Sequence, residues 1–460
     1  MNPQPLLDLL GKHAQHHILD HYQALNSIQR EAFTRGLTRL DFSLAFKLYR
    51  EFLRQKSSAS LSHQIEPAFI IPIPKTAEEI HRRKDAVTLG ESLIRENQVA
   101  VLIVAGGQGT RLGFPGPKGS LPISSIMKKP LFQLFAESVR AMADRYRATL
   151  PLLIMTSQEN HEETRTFFES HGFFDLKRDQ VHFFSQGMLP TLTPEGKLIL
   201  KDAQSLLANP DGHGGSLKAL YESGLAGWLK GRGVSEIFYC QVDNPLAKIA
   251  DPAFIGYHRL EKADISTKVV RRRDLEEKVG IYGMVNGKPA IIEYSDFSPE
   301  DYRSLDERGN IRYWAGNIAI HMISLTFVER MNRQGFALPY HRAIKEVEGL
   351  GPGGRSERMT GLKFETFVFD AIPLAEKSIC MEVAREEEFA PVKNQSGSDS
   401  PETAQQAMNG LFKRWLVEAG TEVAPQARIE ISPLFALDRE EAMKKLKGKK
   451  VEIREDTYFG

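Results

Sequence analysis

From Val99 onward the sequence alternates short apolar runs with amphipathic stretches of helical spacing. The apolar runs are VAVLIVA, PLLIMTS, VHFFSQ and, later, FYCQVD; the stretches between the first three are PLFQLFAESVRAMADRYRA and HEETRTFFESHG. This alternation predicts βαβ units and an α/β fold with a central, mostly parallel, Rossmann-like sheet. Ligands of such sheets bind beyond the carboxyl ends of the strands, so we expect the residues after these four runs to share one crevice.

The regions before and after this pattern have a different character. Residues 1–95 show helical spacing without strand alternation, as in FSLAFKLYREFL, and predict a helical N-terminal region. The stretch KNQSGSDSPETA, beginning at Lys393, predicts a loop, and a further helical stretch follows it. We therefore expect a helical region over 1–95, a central domain over 96–392, and a C-terminal loop and small domain over 393–460.

The charge balance limits the classes of partner. Lys and Arg number 60 and Asp and Glu number 59, so a net charge of +1 creates no global field for nucleic acid or for an anionic membrane. No apolar run approaches the ~20 residues that span a bilayer. The N-terminal leucine cluster is interrupted by Asp8 and Lys12, unlike a signal peptide. The two cysteines, Cys240 and Cys380, are expected as buried thiols in strands, so the sequence predicts a cytoplasmic protein. Because the net charge is close to zero, any anion site must be local.

The loop in VLIVAGGQGTRLG lies directly after the first apolar run. It is not a P-loop, and it departs from the dinucleotide fingerprint because Leu112 stands where the last glycine belongs and Gly113 comes one position late. Arg111 and Lys118 add two cations, which suit a nucleoside triphosphate better than a pyrophosphate bridge. A tight turn with solvated basic side chains explains the loop equally well. The loop alone therefore does not distinguish a phosphate site from such a turn.

Longer segments decide in favour of a phosphate site. AGGQGTRLGFPGPKG resembles the signature loop of the eukaryotic-type UDP-sugar pyrophosphorylases, and later segments resemble their UDP-N-acetylglucosamine branch; these are FFSQGMLP, DGHGG, CQVDNPLAKIADPAFIG, EKVGIYG, IIEYSD, AGNIAIH, FETFVFDAIP, REEEFAPVKN and SPETA. They occur in family order over roughly 99–404. The resemblance implies a nucleotidyltransferase (GT-A-like) sheet, with the catalytic domain over 96–392.

The resemblance also implies the reaction. UTP and a sugar 1-phosphate give a UDP-sugar and pyrophosphate, by in-line attack of a phosphate oxygen on the α-phosphorus of UTP. The attacking group is already an anion, so the protein needs to supply alignment and charge neutralisation. By resemblance, Arg111 and Lys118 bind the triphosphate, Lys393 binds the sugar phosphate, and Asp243 binds Mg²⁺. One aspartate suffices because Mg²⁺ commonly combines one or two carboxylates with waters and substrate phosphates.

The remaining site residues are implied in the same way. The positions expected to bind the nucleotide are Gly106, Gly107, Gln186, Gly212 and His213. The positions expected to face the sugar are Gly280, Glu293, Asn317, Phe367 and Phe369. The two phenylalanines alternate in ETFVFD as residues on one face of a strand do, although ordinary core packing explains at least one of them equally well.

One departure from the family pattern bears on the sugar. His213 stands where the N-acetylglucosamine enzymes commonly have asparagine, and the resulting GHG resembles the UDP-glucose enzymes. The leading hypothesis is therefore transfer to N-acetylglucosamine 1-phosphate, with glucose 1-phosphate or a broad set of sugars as the alternative. A non-catalytic UDP-sugar sensor and a nicotinamide-dependent oxidoreductase are weaker alternatives. The sequence indicates no protein partner.

Overall fold

A computed structural model of the chain describes residues 3–55, 64–351, 354–446 and 452–460. Across these residues, every helix is too short or too polar to cross a bilayer. The α-helices, numbered along the chain, are α1 Gln4–Lys12, α2 His16–Ala24, α3 Ser27–Leu37, α4 Phe42–Gln55, α5 Ala77–Arg95, α6 Leu131–Tyr146, α7 His161–Ser170, α8 Gly215–Glu222, α9 Leu225–Lys230, α10 Pro252–Leu260, α11 Pro299–Tyr302, α12 Leu325–Asn332, α13 Arg385–Glu388, α14 Pro401–Glu418 and α15 Arg439–Leu446.

The strands are numbered in the same way. They are β1 Ile65–Pro67, β2 Val99–Val104, β3 Leu152–Thr156, β4 Val181–Ser185, β5 Met188–Pro190, β6 Leu200–Asp202, β7 Ser205–Leu206, β8 Ala208–Pro210, β9 Glu236–Gln241, β10 Ile265–Arg271, β11 Ile281–Val285, β12 Lys288–Ile292, β13 Ala315–Ser324, β14 His341–Leu350, β15 Ser356–Glu365, β16 Ser378–Glu382, β17 Glu422–Val423, β18 Ile429–Ile431, β19 Glu452–Ile453 and β20 Thr457–Phe459.

The chain forms two compact units. Unit 1 consists of Met1–Ser62, Gln186–Ala219 and Ala337–Val368, and unit 2 consists of His63–Ser185, Leu220–Phe336 and Phe369–Gly460. The division into three parts expected from the sequence stays a prediction.

The centre of unit 2 is a large sheet. Its path runs β1-β11-β13-β9-β2-β3-β4, with β12 beside β11, and β10 paired with both β13 and β16. The strands β9, β2, β3 and β4 are parallel neighbours, as the apolar runs predict. The prediction of an α/β fold is confirmed. The carboxyl ends of these four strands lie along one edge of the sheet, because parallel neighbours end in the same direction.

Burial explains why these segments form central strands. Every residue of β2 is buried, as is every residue of β3, which is typical of strands covered on both faces by helices. Residues of α6, including Phe132 and Phe135, pack in the same apolar cluster as Val101 and Ile103. Cys240 in β9 and Cys380 in β16 are buried free thiols, as expected. Burial raises the pKa of the Cys240 thiol far above its usual range, and the Asp243 carboxylate raises it further.

Helices α5 and α10 approach each other closely in unit 2. A Cβ atom on Gly256 of α10 would lie 1.7 Å from the backbone oxygen of Ala86, and one on Gly90 of α5 would lie 1.9 Å from that of Pro252. Side chains larger than hydrogen do not fit at either position without a shift of backbone. The two glycines therefore set the distance between the helices.

Unit 1 contains helices α1 to α4, whereas α5, which also lies within the predicted helical region 1–95, belongs to unit 2. Apolar residues of α1 to α4, among them Leu10, Phe33 and Phe46, form one core with Leu192 and Leu362. Asn26 begins α3 with reciprocal hydrogen bonds to Gln29, a capping box that satisfies free backbone N–H groups. Strands β14 and β15 form an antiparallel hairpin, in which the paired residues run from His341 with Glu365 to Leu350 with Ser356. Residues 352 and 353, between the two strands, lie outside the described residues.

Candidate active site

Backbone hydrogen bonds join the two ends of the glycine loop after β2. Gly109 N–H donates to Gly116 O at 2.8 Å, and Lys118 N–H donates to Gly107 O at 3.1 Å. A short 3-10 helix, Thr110–Leu112, ends at Gly113, whose φ of 67° lies in the left-handed region. A Cβ on Gly107 would meet no atom within 4 Å, so the space beside this backbone is open. An open backbone at the end of a parallel strand suits the close approach of a phosphate or a base.

Asn160 bonds to the backbone at the start of this loop. The sequence analysis did not identify Asn160 as a candidate residue. Its side chain is fully buried and its Nδ2 donates to Ala105 O at 2.9 Å and to Gly107 O at 3.4 Å. Its Oδ1 accepts from Ser157 N–H at 2.8 Å. The signal was present as the SQEN turn directly after β3, since asparagine readily bonds to nearby backbone. Asn160 therefore joins the ends of β2 and β3.

This contact gives a testable expectation. In Asn160→Asp a carboxylate oxygen would face two carbonyl oxygens. We therefore expect the KM for UTP, the substrate that the sequence resemblance implies, to rise about tenfold and the free energy of unfolding to fall by about 1–3 kcal/mol. Asn26→Asp is the control, because Asn26 Oδ1 only accepts a hydrogen bond, which a carboxylate also does. Steady-state kinetics and denaturant unfolding measure both effects. Equal kinetics of Asn160→Asp and wild type would contradict the role of Asn160.

Lys118 and Asp243 meet at the sheet edge. Lys118 Nζ donates to Asp243 Oδ2 at 3.4 Å, and the two side chains are only 17% and 13% exposed. Asp243 lies two residues beyond β9, and Val242 N–H still bonds to Val104 O at 3.0 Å, which extends the pairing to β2. The strand ends thus bring together a cation and a carboxylate that are 125 residues apart in sequence.

The segment that carries Lys393 is bonded to the same place. Val392 N–H donates to Asp243 O at 2.8 Å, and Asn244 Nδ2 donates to Glu388 O at 2.7 Å. Lys393 follows directly and its side chain is exposed. The side chain of Gln395 reaches the glycine loop, since a Cβ on Gly113 would lie 2.9 Å from its Nε2. Arg111, also exposed, lies two residues before Gly113 in the same loop.

Three predicted sugar-facing residues of unit 2 are neighbours. Asn317 N–H, in β13, donates to Gly280 O at 2.8 Å. A Cβ on Gly280 would lie 3.1 Å from Glu293 Oε1, so the carboxylate lies beside the Gly280 backbone. Asn317 and Glu293 are both half-buried. A carboxylate and an amide next to one another are suited to binding sugar hydroxyls.

Unit 1 carries Gln186, Gly212, His213 and Phe367, whereas Phe369 belongs to unit 2. Gln186 follows β4 and is 6% exposed. Gly212 has a φ of 89°, and a Cβ there would lie 2.3 Å from Thr366 O. Thr366, a residue that the sequence reasoning missed, also donates through its N–H to Asp211 O at 2.7 Å and accepts from Gly214 N–H at 2.9 Å. Thr366 therefore fixes the turn that contains Gly212.

His213 and Phe367 are in contact in unit 1. Their ring centroids are 5.4 Å apart, and Phe367 also lies against His341 with centroids 4.9 Å apart. Val368 N–H donates to His213 Nδ1 at 3.3 Å.

The prediction that Phe367 and Phe369 alternate on one strand is wrong. Strand β15 ends at Glu365, and Phe369 lies in the 3-10 helix Val368–Leu374. The chain leaves the strand direction because Thr366 bonds to the 211–214 turn instead of to a neighbouring strand. Alternation in sequence cannot reveal such a bond.

We expect Gly212→Ala to disturb this turn strongly. Alanine would combine an unfavourable positive φ with a clash against Thr366 O, and we expect it to lower the free energy of unfolding by about 2 kcal/mol or more. Gly224→Ala is the matched control, because Gly224 has a φ of 80° and no atom within 4 Å of its Cβ position. Calorimetric unfolding of both variants measures the difference. A loss no larger in Gly212→Ala than in the control would show that the turn tolerates the clash.

Comparison with known families identifies the chain. A model of the UTP–glucose-1-phosphate uridylyltransferase family matches residues 43–451. The chain belongs to this family. The match includes the glycine loop and all the candidate site residues of both units.

Relatives within the uridylyltransferase family are similar along most of the chain. A protein described as a probable UDP-N-acetylglucosamine pyrophosphorylase from Dictyostelium discoideum is 32% identical over 93% of this chain and 92% of its own. The UDP-N-acetylglucosamine pyrophosphorylase of Saccharomyces cerevisiae is 37% identical over 79% of this chain and 80% of its own. A crystal structure of the Trypanosoma brucei UDP-N-acetylglucosamine pyrophosphorylase with an inhibitor is 27% identical, covers 99% of this chain and 98% of its own, and has a TM-score of 0.84.

The residues at the sheet edge fit a divalent cation held together with phosphates. Among the described residues, no group of three or more His, Cys, Asp or Glu side chains is placed to hold a metal ion. Asp243 offers a single, mostly buried carboxylate, and carboxylate oxygens are the donors that Mg²⁺ prefers. Phosphate oxygens of a substrate would have to supply the other ligands.

Proposed function

We propose that the chain is a UDP-N-acetylglucosamine pyrophosphorylase, which joins UTP and N-acetylglucosamine 1-phosphate and releases pyrophosphate. The observation that carries the proposal is similarity over nearly the whole chain to proteins named for this activity, including one related by a TM-score of 0.84. The contact between Lys118 and Asp243 at the end of parallel strands supports it independently, because phosphoryl chemistry needs a cation and a metal-binding carboxylate together.

The chain's basic residues would neutralise charge during the transfer. We assign Arg111 and Lys118 to the triphosphate of UTP, where they stabilise the departing pyrophosphate. Lys393 binds the phosphate of the sugar and holds it in line for attack on the α-phosphorus. Preorganised charges in a site that excludes water stabilise the transition state more than they do in bulk water. Backbone at Gly106 and Gly107 contributes donors at the strand end.

Members of this family generally use a divalent metal, and we propose Mg²⁺ with Asp243 as its protein ligand. When bound, the ion would draw charge from the phosphates and hold them in place. In the structure Lys118 bonds to Asp243, so each neutralises the other. We propose that both exchange this contact on substrate binding, Lys118 for a phosphate oxygen and Asp243 for the metal.

The base and the sugar have separate sets of residues in this proposal. Gln186 pairs with the uracil through its amide, which both donates and accepts, and the backbone at Gly212 together with His213 completes the nucleotide contacts. Gly280, Glu293 and Asn317 bind the sugar hydroxyls. Phe367 and Phe369 pack against the acetamido group. This role does not require the two residues to belong to one strand.

The sugar preference is tested by direct competition. Purified protein with UTP and Mg²⁺ is given equal amounts of N-acetylglucosamine 1-phosphate and glucose 1-phosphate, and both UDP-sugars are quantified by mass spectrometry. We expect at least ~10-fold more of the acetamido product, since a pocket shaped for a group discriminates against its absence. Glucose as the preferred sugar would instead support the second candidate, a UDP-glucose enzyme, which the GHG sequence around His213 favours.

We also propose that the protein acts in the cytoplasm. Cys240 and Cys380 are free and buried, as suits a compartment that keeps thiols reduced. Cell fractionation with detection of the native protein tests this, and recovery in a secreted or organellar fraction would contradict it.

A further inference from the structure

A cavity in unit 2 is lined by none of the residues assigned to the substrates. Its volume is about 500 Å³, within the usual range for small-molecule sites. Apolar side chains of α6 and α14 form one wall, including Phe135, Met142, Leu411 and Phe412. Residues between Pro245 and Ala253, together with Glu387 and Glu388, also line the cavity. The cavity therefore borders the segment after Asp243 and the segment before Lys393.

Three hydrogen-bond donors of this cavity lack an acceptor among the described residues. The Nε1 atom of Trp415 is buried without a partner among the described residues, and the residue is 9% exposed. Lys248 and Arg83 are half-buried, and neither forms a hydrogen bond or an ion pair with another side chain of the described part of the chain. The buried Trp415 Nε1 costs free energy without an acceptor, and the N–H groups of the half-buried Lys248 and Arg83 are available to an acceptor in the cavity.

Four of the six acidic residues that line the cavity form ion pairs with basic side chains. Asp251 and Glu388 both accept from the buried Lys268, at 2.8 and 2.6 Å. Asp438 pairs with Arg145 at 2.6 Å, and Glu91 pairs with Arg95 at 2.8 Å. The other two, Glu387 and Glu440, are exposed.

Lys248 keeps its positive charge in this environment. The negative charge of Asp251 raises the pKa of Lys248, and this effect together with that of Glu388 exceeds the opposing effect of burial. The cation thus stays charged while its N–H donors remain without acceptors. A carboxylate, phosphate or sulfonate oxygen is the acceptor that such a group binds most strongly.

We propose that this cavity binds a small organic anion with an apolar body, at a site distinct from the substrate site. The anionic group lies between Lys248 and Arg83, an oxygen or nitrogen acceptor meets Trp415 Nε1, and the apolar body packs on Phe135 and Phe412. Occupancy orders the segment between Asp243 and Asp251. The proposal does not depend on which sugar the enzyme uses.

Anilinonaphthalene sulfonate is a suitable probe, because it joins an aromatic body to one sulfonate and fluoresces when bound. We expect one saturable site on the full-length protein, with unchanged affinity when UTP and Mg²⁺ are saturating. Lys248→Met and Arg83→Met each keep the aliphatic stem and remove the charge, and we expect each to weaken binding about tenfold or more. Lys288→Met, on an exposed residue of β12, is the matched control and leaves the affinity unchanged.

Two further measurements make the test specific. Phenylnaphthylamine has the same kind of body without the sulfonate, and wild type and Lys248→Met should bind it equally. Hydrogen–deuterium exchange of the amides between Leu246 and Asp251 should slow when the probe is bound. Wild-type affinity for anilinonaphthalene sulfonate in both charge variants, or displacement of this probe by UTP, would contradict the proposed anion site. Unchanged amide exchange between Leu246 and Asp251 with the probe fully bound would contradict the proposed ordering of that segment.

Discussion

Asp243→Asn should lower kcat by about a thousandfold. The amide has nearly the same shape as the carboxylate but lacks the charge that would hold a divalent cation against the phosphates, and the loss of one preorganised charge at the reacting centre commonly has an effect of this size. The Mg²⁺ concentration that gives half the maximal rate should also rise. Pyrophosphate release measured over a range of Mg²⁺ concentrations gives both quantities.

Asp144→Asn is the control for this experiment. Asp144 is an exposed residue near the end of α6, and its carboxylate has no partner among the described side chains. We expect its kcat and its Mg²⁺ dependence to match those of wild type. If Asp243→Asn also kept the wild-type rate at every Mg²⁺ concentration, the carboxylate would have no part in the reaction.

Gly256→Ala should have the largest effect on stability. The added Cβ would lie 1.7 Å from Ala86 O and 2.4 Å from Ala86 C, both backbone atoms, so helices α5 and α10 would have to separate. Overpacking of this kind typically costs 1–3 kcal/mol, and because backbone must move we expect a loss of about 3 kcal/mol or more in the free energy of unfolding. Denaturant unfolding followed by circular dichroism measures it.

Gly227→Ala provides the opposite expectation. Gly227 lies inside α9, and a Cβ there would meet no atom within 4 Å. Alanine favours the helix over glycine by up to ~1 kcal/mol, so this variant should be as stable as wild type or more stable. Similar stability of Gly256→Ala and Gly227→Ala would mean that the two helices are not held at the distance described.

Much of unit 2 could be predicted from the sequence. The apolar runs became β2, β3, β4 and β9, and the residues that follow β2 and β9 supply the loop and Asp243. This succeeded because strands buried on both faces are continuous apolar segments, and because the direction of parallel strands fixes the edge at which their loops lie.

Other features depend on contacts between segments distant in sequence. Asn160 and Thr366 form hydrogen bonds with backbone atoms of other segments. The hydrophobic pattern of the sequence around them does not predict these bonds. The core that joins Leu10, Leu192 and Leu362 likewise combines separate segments of the chain. Periodicity is a local property, so it indicates which face of a segment is buried but not what covers it.

Uridylyl transfer at this site is tested by the amounts of pyrophosphate and UDP-sugar that purified protein forms from UTP and N-acetylglucosamine 1-phosphate. We predict equimolar amounts of both products, and neither when the sugar phosphate or the divalent metal is left out. Binding of UTP without any release of pyrophosphate in the complete mixture would contradict the account and would favour a UDP-sugar sensor.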